Sequence, residues 1–441
     1  MPPSTNDSRT SPDVRTLGRL RTWLLYPVRT PLRIGLTALL LAAAAVAGWY
    51  FERAARFDHN RSAAERALAG YDFPAARRHL AECARLRPDD PGVRLLAAQA
   101  ARRDGDLAEA QSQLDRYRIL AGSTEDGRLE GAMLLAQRGQ IEEVVRYLMD
   151  LADQRHPASE QILEALATGC VHVYQLDRAS FWVTYLLKQA PNNPIGLLIR
   201  GQTADTLGDR DKARETLRKL VAEHPRFARG RMALAQSLVR ARQYEEAAGH
   251  YEVLHRDQPG EVPSLLGLVR CLVQLGRTEE ARPLVRELRE RHADASEALL
   301  EVGLFALREG RPEEAEPLLR RAVELAPNDH EVRLQFGVAL QQLGRAEEAT
   351  AHLERSRQIE ADLTRLEKAV AAMVKTPSDP EPRLEAARVC LRNGQDAEGL
   401  RWLHGALQLA PGHKPTHQAL SDYYAAHGDP EQAEYHRQRT R

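Results

Sequence analysis

One interval constrains this chain more than anything else in it. A small residue that opens an apolar stretch stands at Ala76, Ala110, Val144, Ala179, Ala213, Ala247, Ala281, Ala315 and Ala349. Seven of the eight intervals are 34 residues, and one, Val144 to Ala179, is 35. The phrase "GRTEEARPLVRELRERHAD" from Gly276 returns as "GRPEEAEPLLRRAVELAPND" from Gly310 and as "GRAEEATAHLERSRQIEAD" from Gly344. Four residues after each small residue comes Leu80, Leu114, Leu148, Val183, Leu217, Tyr251, Val285, Leu319 or Leu353, so the two share one helix face. Pro88, Pro191, Pro225, Pro259, Pro327 and Pro411 fall twelve residues after a small position and stop that helix. Gly105, Gly139, Gly208, Gly276 and Gly344, five residues before it, supply a tight turn between two helices. A single helix pair cannot bury its own apolar face, but stacked pairs bury a continuous core, so the unit has to recur. The chain is therefore expected to be an all-α solenoid.

These residues resemble the tetratricopeptide repeat. Its small–bulky–small–Pro signature stands here as Ala213, Leu217, Leu220 and Pro225, and again as Ala315, Leu319, Ala322 and Pro327, while Tyr244 takes the aromatic place at the start of a second helix. The resemblance covers residues 60–441 and implies a right-handed α-solenoid of about 10–11 helix pairs. Two departures bear on the number of repeats. Arg94, Arg231 and Arg333 stand where the family carries a first-helix Trp, and the third and fourth copies are degenerate.

The beat breaks once, because Ala349 and its next equivalent, Gly399, are fifty residues apart. The surplus, residues 355–376, spaces Ile359, Leu363, Leu366, Val370 and Met373 in a heptad-like seam. A longer second helix packed on its own array explains that seam; a partner helix or a second copy, giving a homo-oligomer, is the alternative. Residues 377–441 then add the last units. Arg437 and Thr440 replace apolar residues in the final one, as a solvent-facing cap requires.

Lys+Arg and Asp+Glu are both 62, so no overall field draws the chain to nucleic acid. Cys83, Cys170, Cys271 and Cys390 form no C-x-x-C pair and lie repeats apart, so they are expected as small buried packing residues. No phosphate loop, metalloprotease motif or nucleophile elbow is present. His404, His413, His417, His427 and His436 thicken near the end, but Pro415 between His413 and His417 opposes a rigid ligand face, and they are taken as surface residues. The expectation is no catalytic residue, no metal and no cofactor.

Outside the array, Ile34 to Phe51 is an uncharged apolar run flanked by Trp23, Tyr26, Trp49 and Tyr50. It reads as a transmembrane helix over 34–51. Ala45-Val46-Ala47 also fits a signal-cleavage motif, and a buried helix is the third alternative. Arg15, Arg19, Arg21, Arg29 and Arg33 precede the run, against Arg53, Arg56, Arg61 and Arg66 after it. That bias favours residues 1–33 as a basic, partly disordered cytoplasmic tail, with the array outside the cytoplasm. The array itself is placed at 60–354, before the insertion.

In the family resembled, first helices line a concave groove that holds extended or helical segments of other proteins. One exposed groove position holds Gln99, Met133, Gln202, Gln236, Arg270, Leu304, Val338 and Arg388; a second holds Arg103, Gln137, Thr206, Arg240, Gln274, Arg308, Gln342 and Arg392. None is acidic. The candidate binding residues are Arg103, Arg240, Arg270, Gln274, Arg308, Gln342, Arg388 and Arg392, suited to an acidic or carboxylate-ended segment. Helix-end electrostatics compete as the explanation: the second position falls in last turns, and Glu245-Glu246, Glu279-Glu280, Glu313-Glu314 and Glu347-Glu348 fall in first turns. The resemblance implies a membrane-anchored protein-interaction scaffold of the kind found in bacterial envelope assemblies at the inner membrane. A non-catalytic regulatory or targeting arm of an enzyme complex is the alternative.

Overall fold

All nine small residues of the 34-residue beat are buried, as are the bulky residues four places on, except half-buried Leu353. Helices that cross this closely need a small side chain at the crossing and a large one beside it. The computed structural model describes residues 31–440, with side chains from Ala38 onward. The expectations for residues 1–30, including the basic tail, lie outside the described residues. Among the described residues there are 22 helices and no strand.

The helices form eleven successive pairs, units 1 to 11. Units 1 to 4 are α1 (Pro31–Ala69) with α2 (Phe73–Leu86), α3 (Pro91–Asp104) with α4 (Leu107–Ala121), α5 (Glu125–Gln137) with α6 (Ile141–Asp153), and α7 (Ser159–His172) with α8 (Leu176–Gln189). Units 5 to 7 are α9 (Pro194–Thr206) with α10 (Arg210–Glu223), α11 (Ala228–Arg240) with α12 (Tyr244–Asp257), and α13 (Val262–Gln274) with α14 (Thr278–Arg291). Units 8 to 11 are α15 (Ser296–Arg308) with α16 (Pro312–Leu325), α17 (His330–Gln342) with α18 (Ala346–Lys375), α19 (Glu381–Arg392) with α20 (Asp396–Leu409), and α21 (Lys414–Ala426) with α22 (Pro430–Gln438). The first helices of neighbouring units pack on one another through unit 9 and again between units 10 and 11. They therefore line the inner, shorter-radius side of the solenoid.

The arginines that replace the family's Trp form a repeated staple. Arg94 donates to the Pro88 carbonyl (2.8 Å), Arg231 to Pro225 (2.8 Å), Arg333 to Pro327 and Arg383 to Pro377 (3.1 Å), each reaching the end of the preceding unit. His417 does the same to Pro411 (2.9 Å). Four of these five side chains also meet a partner nineteen residues on: Arg94 with Gln113 (3.2 Å), Arg231 with His250 (3.3 Å), Arg333 with His352 (3.3 Å) and His417 with His436 (2.9 Å). His417 and His436 are thus buried structural residues and not the surface histidines expected.

This staple makes the array acid-sensitive. Burial and then the adjacent arginines lower the pKa of His250 and His352, while burial and then His417 push His436 down to about 4. Burial acts the same way on His172. Each folded pKa lies below the unfolded value of about 6.5, so unfolding takes up protons as pH falls from about 6.5. Stability is full above that pH and lost below it. Thermal melts should therefore show a Tm that drops between pH 7 and pH 5. Gln113 shows that an amide serves at this position, and His250→Gln with His352→Gln should flatten the drop. An unchanged pH slope in that variant would assign the acid sensitivity elsewhere.

Helix α1 is unbroken from Pro31 to Ala69, so the apolar run and the first helix of unit 1 are one element. The stretch between 51 and 60, expected as a gap before the array, contains no helix breaker. Helix α1 is long and apolar enough to cross a membrane, and none of its apolar window is buried, which removes the core-helix alternative. From Phe57 onward the same helix turns Phe57, Ala64 and Leu68 into the core.

Helix α18 extends over 30 residues and absorbs the surplus sequence. Ile359 and Met373 are buried, Leu366 and Val370 half-buried, and Leu363 exposed. The seam packs toward α19 and α20 of the same chain, and Asp362 on it accepts from Arg392 (2.8 Å) and Asn393 (3.1 Å). All four cysteines are buried as free thiols.

Candidate functional site

The candidate groove residues divide sharply on the inner face. Arg103 is buried and ion-paired with Glu164 (3.1 Å), so it does not face a partner. Arg240 pairs with Asp205 (2.7 Å), Arg270 with Glu301 (2.7 Å) and Arg392 with Asp362 (2.8 Å), each across to an adjoining unit. The acids absent from the two groove positions stand next to them and neutralise most of the guanidiniums. Arg308, Arg388, Gln274 and Gln342 are exposed and, among the described residues, make no ion pair or side-chain hydrogen bond. Arg240, Arg308 and Arg392 do fall in last turns, and the paired glutamates in first turns, as helix dipoles favour.

The N-terminal half of the inner face is filled by a polar strut that the sequence did not reveal. Glu164, fully buried on α7, accepts from Tyr71 Oη (2.9 Å), Asn193 Nδ2 (2.8 Å) and both Nε (3.1 Å) and Nη2 (3.3 Å) of Arg103. The Arg103 guanidinium also lies over the Tyr71 ring (4.4 Å). Its backbone carbonyl accepts from Arg229 (2.8 Å), and Tyr71 and Phe73 both meet Phe227 edge-on. Burial and then the Glu164 carboxylate raise the Tyr71 pKa far above its ordinary range, so the phenol stays protonated and donates. Units 1, 2, 4, 5 and 6 are thereby joined through the middle of the superhelix.

A second set of contacts closes the C-terminal half. Tyr174, after α7, packs on Trp402 of α20 with ring centroids 4.4 Å apart. Arg401 meets His172 (3.2 Å), and Gln408 donates to the Gly139 carbonyl (3.0 Å). Unit 10 therefore rests on units 3 and 4.

Both bridging tyrosines occupy a position that most units give to glycine. The turn between paired helices has a positive φ at Gly105, Gly139, Gly208, Gly276, Gly310, Gly344, Gly394 and Gly428. Tyr71 (φ 58°) and Tyr174 (φ 55°) adopt the same left-handed conformation, at a cost of about 1–2 kcal/mol each. The long contacts they make offset that strain, and their presence in a glycine register was the visible signal for it. Arg242 (φ 59°) shares the conformation.

Beside these contacts the inner face keeps open cavities at units 5 to 7. A cavity of about 430 Å³ is lined by Leu198, Gln202, Arg229, Met232 and Gln236, and a second of similar volume by Gln202, Asp205, Gln236, Arg240 and Arg401. Gln202 and Gln236 border both. Among the described residues no cluster of His, Cys, Asp and Glu could hold a metal.

An α-solenoid of stacked helix pairs with a polar inner face defines the class: a helical repeat protein. Residues 198–262 and 266–330 match one tetratricopeptide repeat profile, and residues 306–373 match another. Residues 198–373 are thus built of tetratricopeptide repeats, and such repeats support a protein–protein interaction scaffold. No curated protein matches it. Similar solved structures include MamA MSR-1, at 19% identity over 38% of this chain and 97% of that one, with a TM-score of 0.30. A tetratricopeptide repeat protein from Parabacteroides merdae is 14% identical over 65% of this chain and 99% of that one, with a TM-score of 0.33. The Cut9–Hcn1 hetero-tetramer of APC/C gives 14% identity, 97% and 96% coverage, and a TM-score of 0.35.

Proposed function

We propose that this chain is a membrane-anchored, non-catalytic scaffold that holds an acidic segment of another protein on the inner face of units 7 to 10. One observation carries the reading. Within a groove whose other arginines are neutralised internally, Arg308 and Arg388 stay exposed and unpaired, with Gln274 and Gln342 free beside the same units. Carboxylates of a bound segment would complete those guanidiniums, and the amides would accept and donate along its backbone. Residues 34–51 serve as the anchor in a bacterial inner membrane, with the array outside the cytoplasm.

The test is in-cell photo-crosslinking from position 342. A single recurrent partner is expected, and its compartment reports the side on which the array lies. Arg308→Glu with Arg388→Glu should lower that capture about tenfold, roughly 1.4 kcal/mol, while leaving the fold intact because neither residue is paired. Unchanged capture would reduce the arginine pattern to dipole matching. Capture of one enzyme alone would move the reading to a regulatory arm.

A further inference from the structure

The base of the array carries a basic crevice that neither the groove nor the repeat architecture uses. It lies between α1 and the end of α2, is lined by Trp49, Glu52, Arg53, Arg56, Arg85 and Leu86, and has a volume of about 310 Å³. Arg53 stacks over the Trp49 ring (5.2 Å) and donates through Nε to the Leu86 carbonyl (3.2 Å), capping the C-terminus of α2. That contact brings Arg85 and Arg87, 29 to 34 residues away in sequence, beside Arg53 and Arg56. Arg87 is held over the Phe57 ring (3.8 Å). Four arginines thus gather around two carboxylates: Glu52, paired with Arg56, and Glu82, paired with Arg85 (2.6 Å). Both pairs are exposed, so they are weak and open to a competing anion.

The unbroken helix sets the depth of this cluster. Trp49, Tyr50 and Phe51 are exposed at the end of the apolar run, where interfacial aromatics sit. At about 1.5 Å per residue, Arg53 lies roughly 6 Å and Arg56 roughly 10 Å beyond Trp49 along the helix. A headgroup layer of about 5–8 Å occupies that zone, and arginine stems reach back into it. We infer that Arg53, Arg56, Arg85 and Arg87 form a docking surface for the phosphates of anionic phospholipids, which seats unit 1 on the membrane. Because α1 continues without a break into unit 1, this contact orients the whole array relative to the bilayer. The inference rests on residues 34–51 being an anchor.

The experiment separates the two. The full chain is reconstituted into vesicles of phosphatidylcholine alone or with equimolar phosphatidylglycerol, floated, and its retained lipids are counted by native mass spectrometry. Flotation with both vesicles is expected, and from the equimolar vesicles the chain should retain phosphatidylglycerol over phosphatidylcholine in a ratio of about five to one. Arg56→Gln with Arg85→Gln, both exposed positions, should still float but retain the two lipids in the vesicle ratio. Wild-type chain that retains lipids in the vesicle ratio overturns the docking surface and leaves the anchor standing, as does a variant that keeps the enrichment. Chain that floats with neither vesicle overturns the anchor and the surface together.

Discussion

Glu164→Ala is expected to destabilise the N-terminal half of the array by about 3–5 kcal/mol, because it leaves the buried Arg103 guanidinium without a counter-charge. The same substitution removes an acceptor of Tyr71 and of Asn193, so three donors each lose a partner at once. A solenoid unfolds by neighbouring units, so the loss should appear as an earlier transition and not as a uniform shift. Urea unfolding followed by tryptophan fluorescence would resolve it, since Trp182 on α8 and Trp402 on α20 report on units 4 and 10. Glu164→Leu combined with Arg103→Met should recover most of the stability, as apolar replacement of both charges removes the desolvation cost along with the pair. A loss below about 1 kcal/mol in the single variant would mean that the strut does not hold the superhelix.

Gly169→Ala is the second large effect, and its sign runs against helix propensity. Glycine inside a helix ordinarily costs about 0.5–1 kcal/mol relative to alanine, so the change should stabilise at an open site. At Gly169 an added Cβ would lie 1.9 Å from the Ala136 carbonyl oxygen and 2.8 Å from its carbon. Both are backbone atoms of α5 and cannot rotate away, so α5 and α7 would have to separate. A loss of about 3 kcal/mol or more is expected, at the upper end of overpacking in a core. Gly249→Ala on α12, where nothing lies within 4 Å, is the internal control and should gain about 0.5–1 kcal/mol. Similar stability changes in both variants, measured by chemical denaturation, would show that α5 and α7 yield more easily than their backbone contact implies.

The close approach of α5 and α7 falls in the third and fourth units, the two whose repeat pattern is weakest. Degeneracy there accompanies special packing: Gly169 admits a neighbouring backbone, Glu164 enters the core as a charge, and Tyr174 takes a glycine turn position. Similarly, the arginines at the family's Trp position were visible only as departures. In the structure each reaches a proline carbonyl of the preceding unit and a partner in its own second helix.

Everything that depends on neighbours within one unit was legible in the sequence by itself. Helix pairs, their turns, the prolines that end them and the buried faces all follow from spacings of three to thirty-four residues, because helix periodicity and turn geometry act over those distances. The class of protein followed from the repetition of that unit. What the inner face holds was decided only by the tertiary structure. Arg103 looks like any other groove arginine until the superhelix brings Glu164, 61 residues on, against it. Tyr71 and Asn193 meet across 122 residues, and Arg401 and His172 across 229. Such contacts depend on the small rotation between units, summed over many of them. No local pattern encodes that sum, so the sequence could define the lining of a groove but not which part of it stays open.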